Sequence, residues 1–297
     1  MKIFVVGSLN MDLVIRAPYM PANGETMSGE GFMTNPGGKG ANQATAVGKL
    51  GGNAYMVGCV GEAFGDELKA TLQGYKVNTE YVQKLNGVSS GIAVIVVVDG
   101  DNRIILDAGA NGKVSEALVD AALAEAEAGD FLICQLEIAQ SIVAYAFKKA
   151  KEKGLTTVLN PAPAKEIEEE IIANCDWFIP NQLEAKLYTG IYPTDEASAK
   201  QCAAVLQARG IKNVLITMGV SGSGCVTGGE YIHADSFKVD AIDTTAAGDT
   251  YVGAFITRLS EGATVQEAMT FASKASSITV TRKGAQQSIP VRDEISF

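Results

Sequence analysis

Short, continuously apolar runs recur along the chain at 3–6, 54–59, 131–136, 156–159, 177–179 and 214–217. Because they do not alternate with polar residues, they predict strands buried on both faces, as in a parallel sheet covered by helices. Helical periodicity fills the intervals. Ser115 is placed to cap a helix over 116–128, where Leu118, Val119 and Leu123 share a face and Gly129 supplies the stop. Further helices over 141–153 and 197–209 end at Gly154 and Gly210. Strand and helix in repeated order imply right-handed crossovers, hence an α/β fold with a doubly wound, mostly parallel sheet flanked by helices.

Two regions break this rhythm. The segments 13–17 with 30–34, and 91–98 with 103–107, read as hairpins, the second turning at Asp99-Gly-Asp-Asn102. Together they predict a small β-sheet of about 12–35 and 90–107 projecting from one domain that spans residues 1–297. Such a sheet either extends the main edge or closes over a reactive site as a lid that excludes water.

Composition narrows the class. The 47% hydrophobic and 20% charged residues fit a water-soluble globular protein. No apolar run approaches the roughly 20 residues a membrane span needs, and residues 1–6 are too short for a signal peptide. The five cysteines (Cys59, Cys134, Cys175, Cys202, Cys225) form no paired motif, and a lone His233 leaves little for a zinc site. Reduced thiols in a cytoplasmic protein are the expectation. A net charge of −10 argues against a nucleic-acid surface and requires local devices for any phosphate ligand.

The predicted strands deliver polar residues to one edge, where open α/β sheets bind ligands. The first leads to Ser8, Asn10 and Asp12; later ones lead to Glu137, to Asn160, to Asn181 with Glu184, and to Thr217 with Gly219. Asn35-Pro-Gly-Gly-Lys-Gly-Ala-Asn42-Gln places three glycines around Lys39 ahead of a helix. It lacks the Walker A spacing and the third glycine of a dinucleotide fingerprint. Asn10, Asp12, Lys39 and Asn42 form a donor and acceptor set suited to a polyol. In Asp243-Thr-Thr-Ala-Ala-Gly-Asp249-Thr two acids flank small residues, and Val252, Phe255, Ile256 and Leu259 then mark a helix face. Ala246, Ala247 and Gly248 would form its first turn, with free amides able to receive a phosphate. Asp249 is then either a general base or a carboxylate that complements the helix dipole; its local features leave both open.

Together these stretches resemble the ribokinase (phosphofructokinase-B type) family of carbohydrate kinases over nearly the whole chain. The first signature is similar to Gly37-Gly-Lys-Gly-Ala-Asn-Gln43 and the second to Asp243-Thr-Thr-Ala-Ala-Gly-Asp-Thr250. Gly7–Asp12, Gly109-Ala-Asn111, Leu159-Asn-Pro-Ala-Pro-Ala164, Pro180-Asn-Gln-Leu-Glu-Ala185 and Thr281-Arg-Lys-Gly-Ala-Gln286 also match. The Ala-Ala-Gly-Asp version points to the members that phosphorylate D-ribose at its 5-hydroxyl. The resemblance implies ATP as co-substrate, Mg²⁺, an activating K⁺, and a homodimer formed through the lid. By carry-over, Asp249 is the base and Ala246, Ala247 and Gly248 the anion hole, while Asn10, Asp12, Gly38, Lys39, Asn42 and Glu137 hold the sugar. Asn181 and Glu184 organise Mg²⁺ and phosphates, and Thr217, Gly219, Gly222 and Ser273 follow the nucleotide. The K⁺ site falls on Asp243, Thr245, Thr279, Arg282, Gly284 and Ser288. Deoxyribose, fructose or a nucleoside remain alternative acceptors, and a sugar-binding regulator without catalysis is a reading from another class. A nicotinamide-dependent dehydrogenase is excluded by the missing glycine fingerprint.

Overall fold

The structure, a computed structural model, describes residues 1–296. Its larger sheet has nine strands. In spatial order they are β13 (Glu230–Ala234), β12 (Ser223–Thr227), β11 (Asn213–Thr217), β10 (Trp177–Phe178), β9 (Thr156–Leu159), β8 (Phe131–Cys134), β1 (Lys2–Val6), β4 (Asn53–Val60) and β5 (Val82–Lys84). From β11 to β5 every pairing is parallel; β12 and β13 close one edge antiparallel.

Both faces of the sheet are buried, which is why its strands read as unbroken apolar runs. Within β1, Phe4 and Val6 enter one core cluster while Ile3 and Val5 enter the other. The first cluster is completed by α3 (Glu116–Leu123), α4 (Gln140–Glu152), α5 (Glu169–Ala173), α6 (Gln182–Thr189) and α7 (Glu196–Ala208). The second is completed by α1 (Lys39–Lys49), α2 (Gly65–Gly74), α8 (Ala247–Ser260) and α9 (Val265–Thr279). The expected doubly wound fold is therefore present. Several boundaries differ from expectation, that of α3 the most. Helix α3 stops at Leu123, and Glu127 beyond it is held in a turn, its N–H donating to Asp130 Oδ2 and its carbonyl accepting from Asp130 N–H; β8 ends at Cys134 because Gln135 and Leu136 leave the ladder.

A separate four-stranded sheet has the order β3 (Glu30–Gly37), β2 (Asn10–Arg16), β6 (Gly91–Val98) and β7 (Asp101–Asp107). The hairpin between β6 and β7 turns on Asp99 and Gly100, both at positive φ (54° and 83°), as a two-residue turn of the right twist requires. The central pairing of β2 with β6 is parallel and joins segments far apart in the chain. Local pattern does not predict such a pairing. Strand β2 starts at Asn10 and β3 runs to Gly37, so this sheet begins directly at the strand-end residues. No helix among the described residues is long and apolar enough to cross a membrane.

Candidate active site

Two helices of the same layer, α1 and α8, start at the carboxyl edge of the large sheet. They cross closely because Gly253 leaves no side chain between them; a Cβ there would lie 2.5 Å from the Ala46 methyl. That approach brings Asn42 and Gln43 of α1 to Asp249 of α8. Asn42 Nδ2 donates to Asp249 Oδ2 and Gln43 Nε2 to Asp249 Oδ1, both at 2.9 Å. The carboxylate is buried and each oxygen holds one amide donor. One lone pair per oxygen remains for a further donor.

The start of α8 is unusual. Its cap, Ala246, adopts a left-handed conformation (φ 60°) with no side-chain cap. Ala247 N–H reaches Thr244 and Thr250 N–H reaches Ala246, but Gly248 and Asp249 N–H find no acceptor among the described residues. These two amides carry the positive end of the helix dipole into the cleft.

The start of α1 holds the other half of the site. Gly38 sits at φ 89° against the backbone of Ser8 and Asn10; an added Cβ would meet Asn10 N at 2.8 Å. Glu137 Oε2 accepts from Lys39 N–H at 3.0 Å and from the Ser8 hydroxyl. Asn10 is oriented by Asn111, whose Nδ2 donates to Asn10 Oδ1 at 2.7 Å while its Oδ1 accepts from Leu9 N–H. Burial, and then the Glu137 charge, push the Asp12 carboxyl up to about 7. Burial pulls the Lys39 ammonium down, but Asp249, Glu137 and Glu184 outweigh it and hold it above its ordinary value. Glu184 is raised, chiefly by burial, against the opposing Asn181 amide and Lys39 charge. It forms a capping box with Asn181 at the start of α6, each side chain accepting from the other's N–H.

Two cavities meet at the bare turn. The first, of about 560 Å³, is lined by the expected sugar residues Asn10, Asp12, Gly38, Lys39, Asn42, Glu137 and Asp249. The second, of about 770 Å³, is lined by Thr217, Gly219, Gly222 and Ser273, with apolar walls from Tyr192, Val220, Phe237 and Val239. Asn181, Thr217, Thr244, Ala247 and Gly248 border both. The small sheet roofs the first cavity with Ala93, Ile95, Ile104 and Leu106, none of which the sequence pattern singled out, and with Asn102, which lies in β7 and not in the expected turn.

Among the residues expected around K⁺, Asp243 Oδ1 accepts from the Thr245 amide and hydroxyl, and its Oδ2 accepts from Gly284 N–H. Burial pushes Asp243 up, but these donors and Lys283 outweigh it, so its carboxyl lies below its usual range. Thr279 and Ser288 are buried with hydroxyls turned to Thr250, Ala275 and Ala285, and the Arg282 guanidinium pairs with Glu294. Thus Asp243, Thr245 and Gly284 form one knot, while the side chains of the other three are engaged elsewhere. Among the described residues no cluster of three or more His, Cys, Asp or Glu side chains forms a metal site.

Sequence reasoning gave no role to Gln43, Gln135 or Asn111. The signal for Gln43 lies in its helix, where residues 40–48 are all buried. A glutamine in a wholly buried helix must find polar partners inside the protein.

A polar cavity joined to a largely apolar one through a helix start with free amides is the layout of an enzyme moving a phosphoryl group onto a small hydroxylated acceptor. The chain matches the model of the pfkB family carbohydrate kinases over residues 1–292 and belongs to that family. It is 40% identical to the ribokinase of Haemophilus influenzae, over 98% of this chain and 95% of that protein. It is 42% identical to the ribokinase of Schizosaccharomyces pombe, over 97% and 95%. The structure of Arabidopsis thaliana ribokinase complexed with ribose and ATP superposes with a TM-score of 0.90 at 33% identity, covering 98% of this chain and 96% of that one.

Proposed function

We propose that this protein transfers the γ-phosphoryl group of ATP to the 5-hydroxyl of D-ribose. The observation that carries the reading is the buried Asp249 carboxylate, held by two amides beside the free Gly248 and Asp249 N–H groups, where the two cavities meet. The relatives' own activity supports ribose as acceptor. Asn10, Asp12, Gly38, Lys39, Asn42 and Glu137 hold the sugar hydroxyls so that the 5-hydroxyl faces Asp249. Asp249 takes the hydroxyl proton as the sugar oxygen forms its bond to the γ-phosphorus; the bond to the β-γ bridging oxygen breaks and ADP leaves. The turn Ala246-Ala247-Gly248 receives the charge on the transferring group, and the ammonium of Lys39 keeps the three nearby carboxylates compatible with it.

The nucleotide lies along Thr217, Gly219, Gly222 and Ser273. Asn181 and Glu184 fit a hydrated Mg²⁺, since Glu184 spends one oxygen on the capping box and keeps the other for bound water. Mg²⁺ there would neutralise polyphosphate charge. The knot of Asp243, Thr245 and Gly284, with the backbone of Thr279, Arg282 and Ser288, fits a monovalent cation such as K⁺ that braces the turn. The small sheet acts as a lid, and its reverse face, where Val94 pairs with Ile105 and both are exposed, joins a second copy in a homodimer. The five buried thiols suit the reducing cytoplasm.

ADP release measured over D-ribose, deoxyribose, fructose and nucleosides, with and without K⁺, tests the acceptor; ribose no better than the rest would remove it. Asp249→Asn should lower kcat about 10³-fold with ribose binding retained by calorimetry. Near-normal turnover in that variant would remove Asp249 as the base.

A further inference from the structure

Gln43 is fully buried, lines neither of the two cavities, and is the second donor to Asp249. Its amide stands in a chain of hydrogen bonds whose direction a main-chain group dictates. The Ile179 carbonyl can only accept, so Asn160 turns its Nδ2 toward it at 2.9 Å. Asn160 Oδ1 must then accept, and it does so from Gln43 Nε2 at 3.0 Å. With Nε2 shared between Asn160 and Asp249, Gln43 Oε1 accepts from Gln135 Nε2 at 2.7 Å. The chain is thereby ordered so that Gln43 turns a donor toward the carboxylate. The opposite orientation would set a Gln43 oxygen against two acceptors inside the protein, which burial makes costly.

We infer that Gln43 is a positioning residue that aims the Asp249 carboxylate at the acceptor hydroxyl, with Asn160, held by the Ile179 carbonyl, fixing the direction of its amide and Gln135 donating to its oxygen. The inference rests on Asp249 being the base. Asn42 holds the other oxygen from the same helix, so two adjacent residues of α1 grip both oxygens and leave the carboxylate little freedom to rotate. Three strand ends contribute to this grip, because Gln135 follows β8, Asn160 follows β9 and Ile179 follows β10. The orientation of the base is thereby tied to the frame of the sheet.

The test uses Gln43→Leu, which removes the donor, and Gln43→Glu, which keeps the shape but replaces the amide by an acid. Gln43→Leu should lower kcat about 10- to 100-fold, as misorientation of a catalytic group does, with KM for ribose and ATP little changed and the Tm lowered, because Asn160 Oδ1 and Gln135 Nε2 lose their buried partner. Gln43→Glu should be most impaired at pH 8. It should recover toward the wild-type rate as pH falls to 6, because the introduced carboxyl then donates a proton to Asp249 Oδ1. Gln135→Leu, distant from the base by one more link, should give a smaller kcat loss of the same kind. A Gln43→Leu kcat within twofold of wild type overturns the inference, as does a Gln43→Glu deficit that is independent of pH. Parallel loss of kcat, KM and Tm in all three variants marks a purely structural role and overturns it as well. Should Asp249→Asn keep its turnover, the base assignment itself fails; active Gln43 variants beside an inactive Asp249→Asn sink only the positioning role.

Discussion

Helices α1 and α8 begin side by side at one cleft, each after a residue at positive φ and each without a side-chain cap. The start of α1 is sealed by its own chain. Lys39 N–H goes to Glu137, Gly40 N–H to the Ser8 hydroxyl, Ala41 N–H to the Ser8 carbonyl and Asn42 N–H to Gly38. The start of α8 leaves Gly248 and Asp249 N–H open. The difference teaches that glycine content is a poor guide to anion binding. The glycine-rich start is the closed one, and its glycines are needed because Cβ atoms at Gly38 or Gly40 would strike the Ser8–Asn10 backbone or that of Gly7. At Gly248, by contrast, a Cβ meets nothing within 4 Å. One set of small residues makes room for the protein itself and the other leaves its amides open to the cleft.

Substitutions should separate the two. Gly248→Val places a side chain over the open amides without a clash, so kcat should fall about 10²-fold, the cost of losing one preorganised donor, while the Tm stays near wild type. A kcat within a fewfold of wild type would mean that the open amides do not meet the phosphoryl group. Gly38→Ala should do the reverse and act first on stability. The left-handed backbone and the 2.8 Å contact to Asn10 N should cost about 2 kcal/mol, read as a lower midpoint in denaturant unfolding; an unchanged midpoint would contradict the crowding at α1.

The smallest expected effect concerns pH. The Asp12 carboxyl, held near 7 by burial and Glu137, binds a proton in the folded state that it has already lost when unfolded. Its stabilising contribution is therefore fully present in acid and is lost as pH rises from about 4 to about 7. Asp12→Asn does not titrate, so its Tm should gain on wild type by a few degrees between pH 5 and pH 8, while its ribose KM rises. A Tm difference that ignores pH would show that Asp12 is not under this strain. That strain comes from keeping two carboxylates, Asp12 and Glu137, in the wall of one cavity.

Much of the fold was legible because both faces of the sheet are buried. Phe4 and Val6 serve one layer and Ile3 and Val5 the other, so apolar continuity marked each central strand. The edge strands β12 and β13 escaped notice: Ser223, Gly224 and Glu230 dilute their apolar pattern. Asn10, Asp12, Lys39, Asn42, Glu137 and Asp249 of the first cavity were legible from their positions at strand ends and from the two kinase signatures. The roof residues Ala93, Ile95 and Leu106 were not, since one face of an ordinary hairpin looks like any other until the cleft beneath it is known.

By itself, then, the sequence determined the layers, the polar edge and the two helix starts, because burial period and turn chemistry act over a few residues. Tertiary structure alone decided which helix start stays open and how Asp249 is aimed. It also decided that Gln43 turns a donor, not an acceptor, toward that carboxylate. Those outcomes depend on Glu137, Gln135, Asn160 and the Ile179 carbonyl, groups 98, 92, 117 and 19 residues from their partners along the chain. A hydrogen bond's direction is settled only where its partners meet.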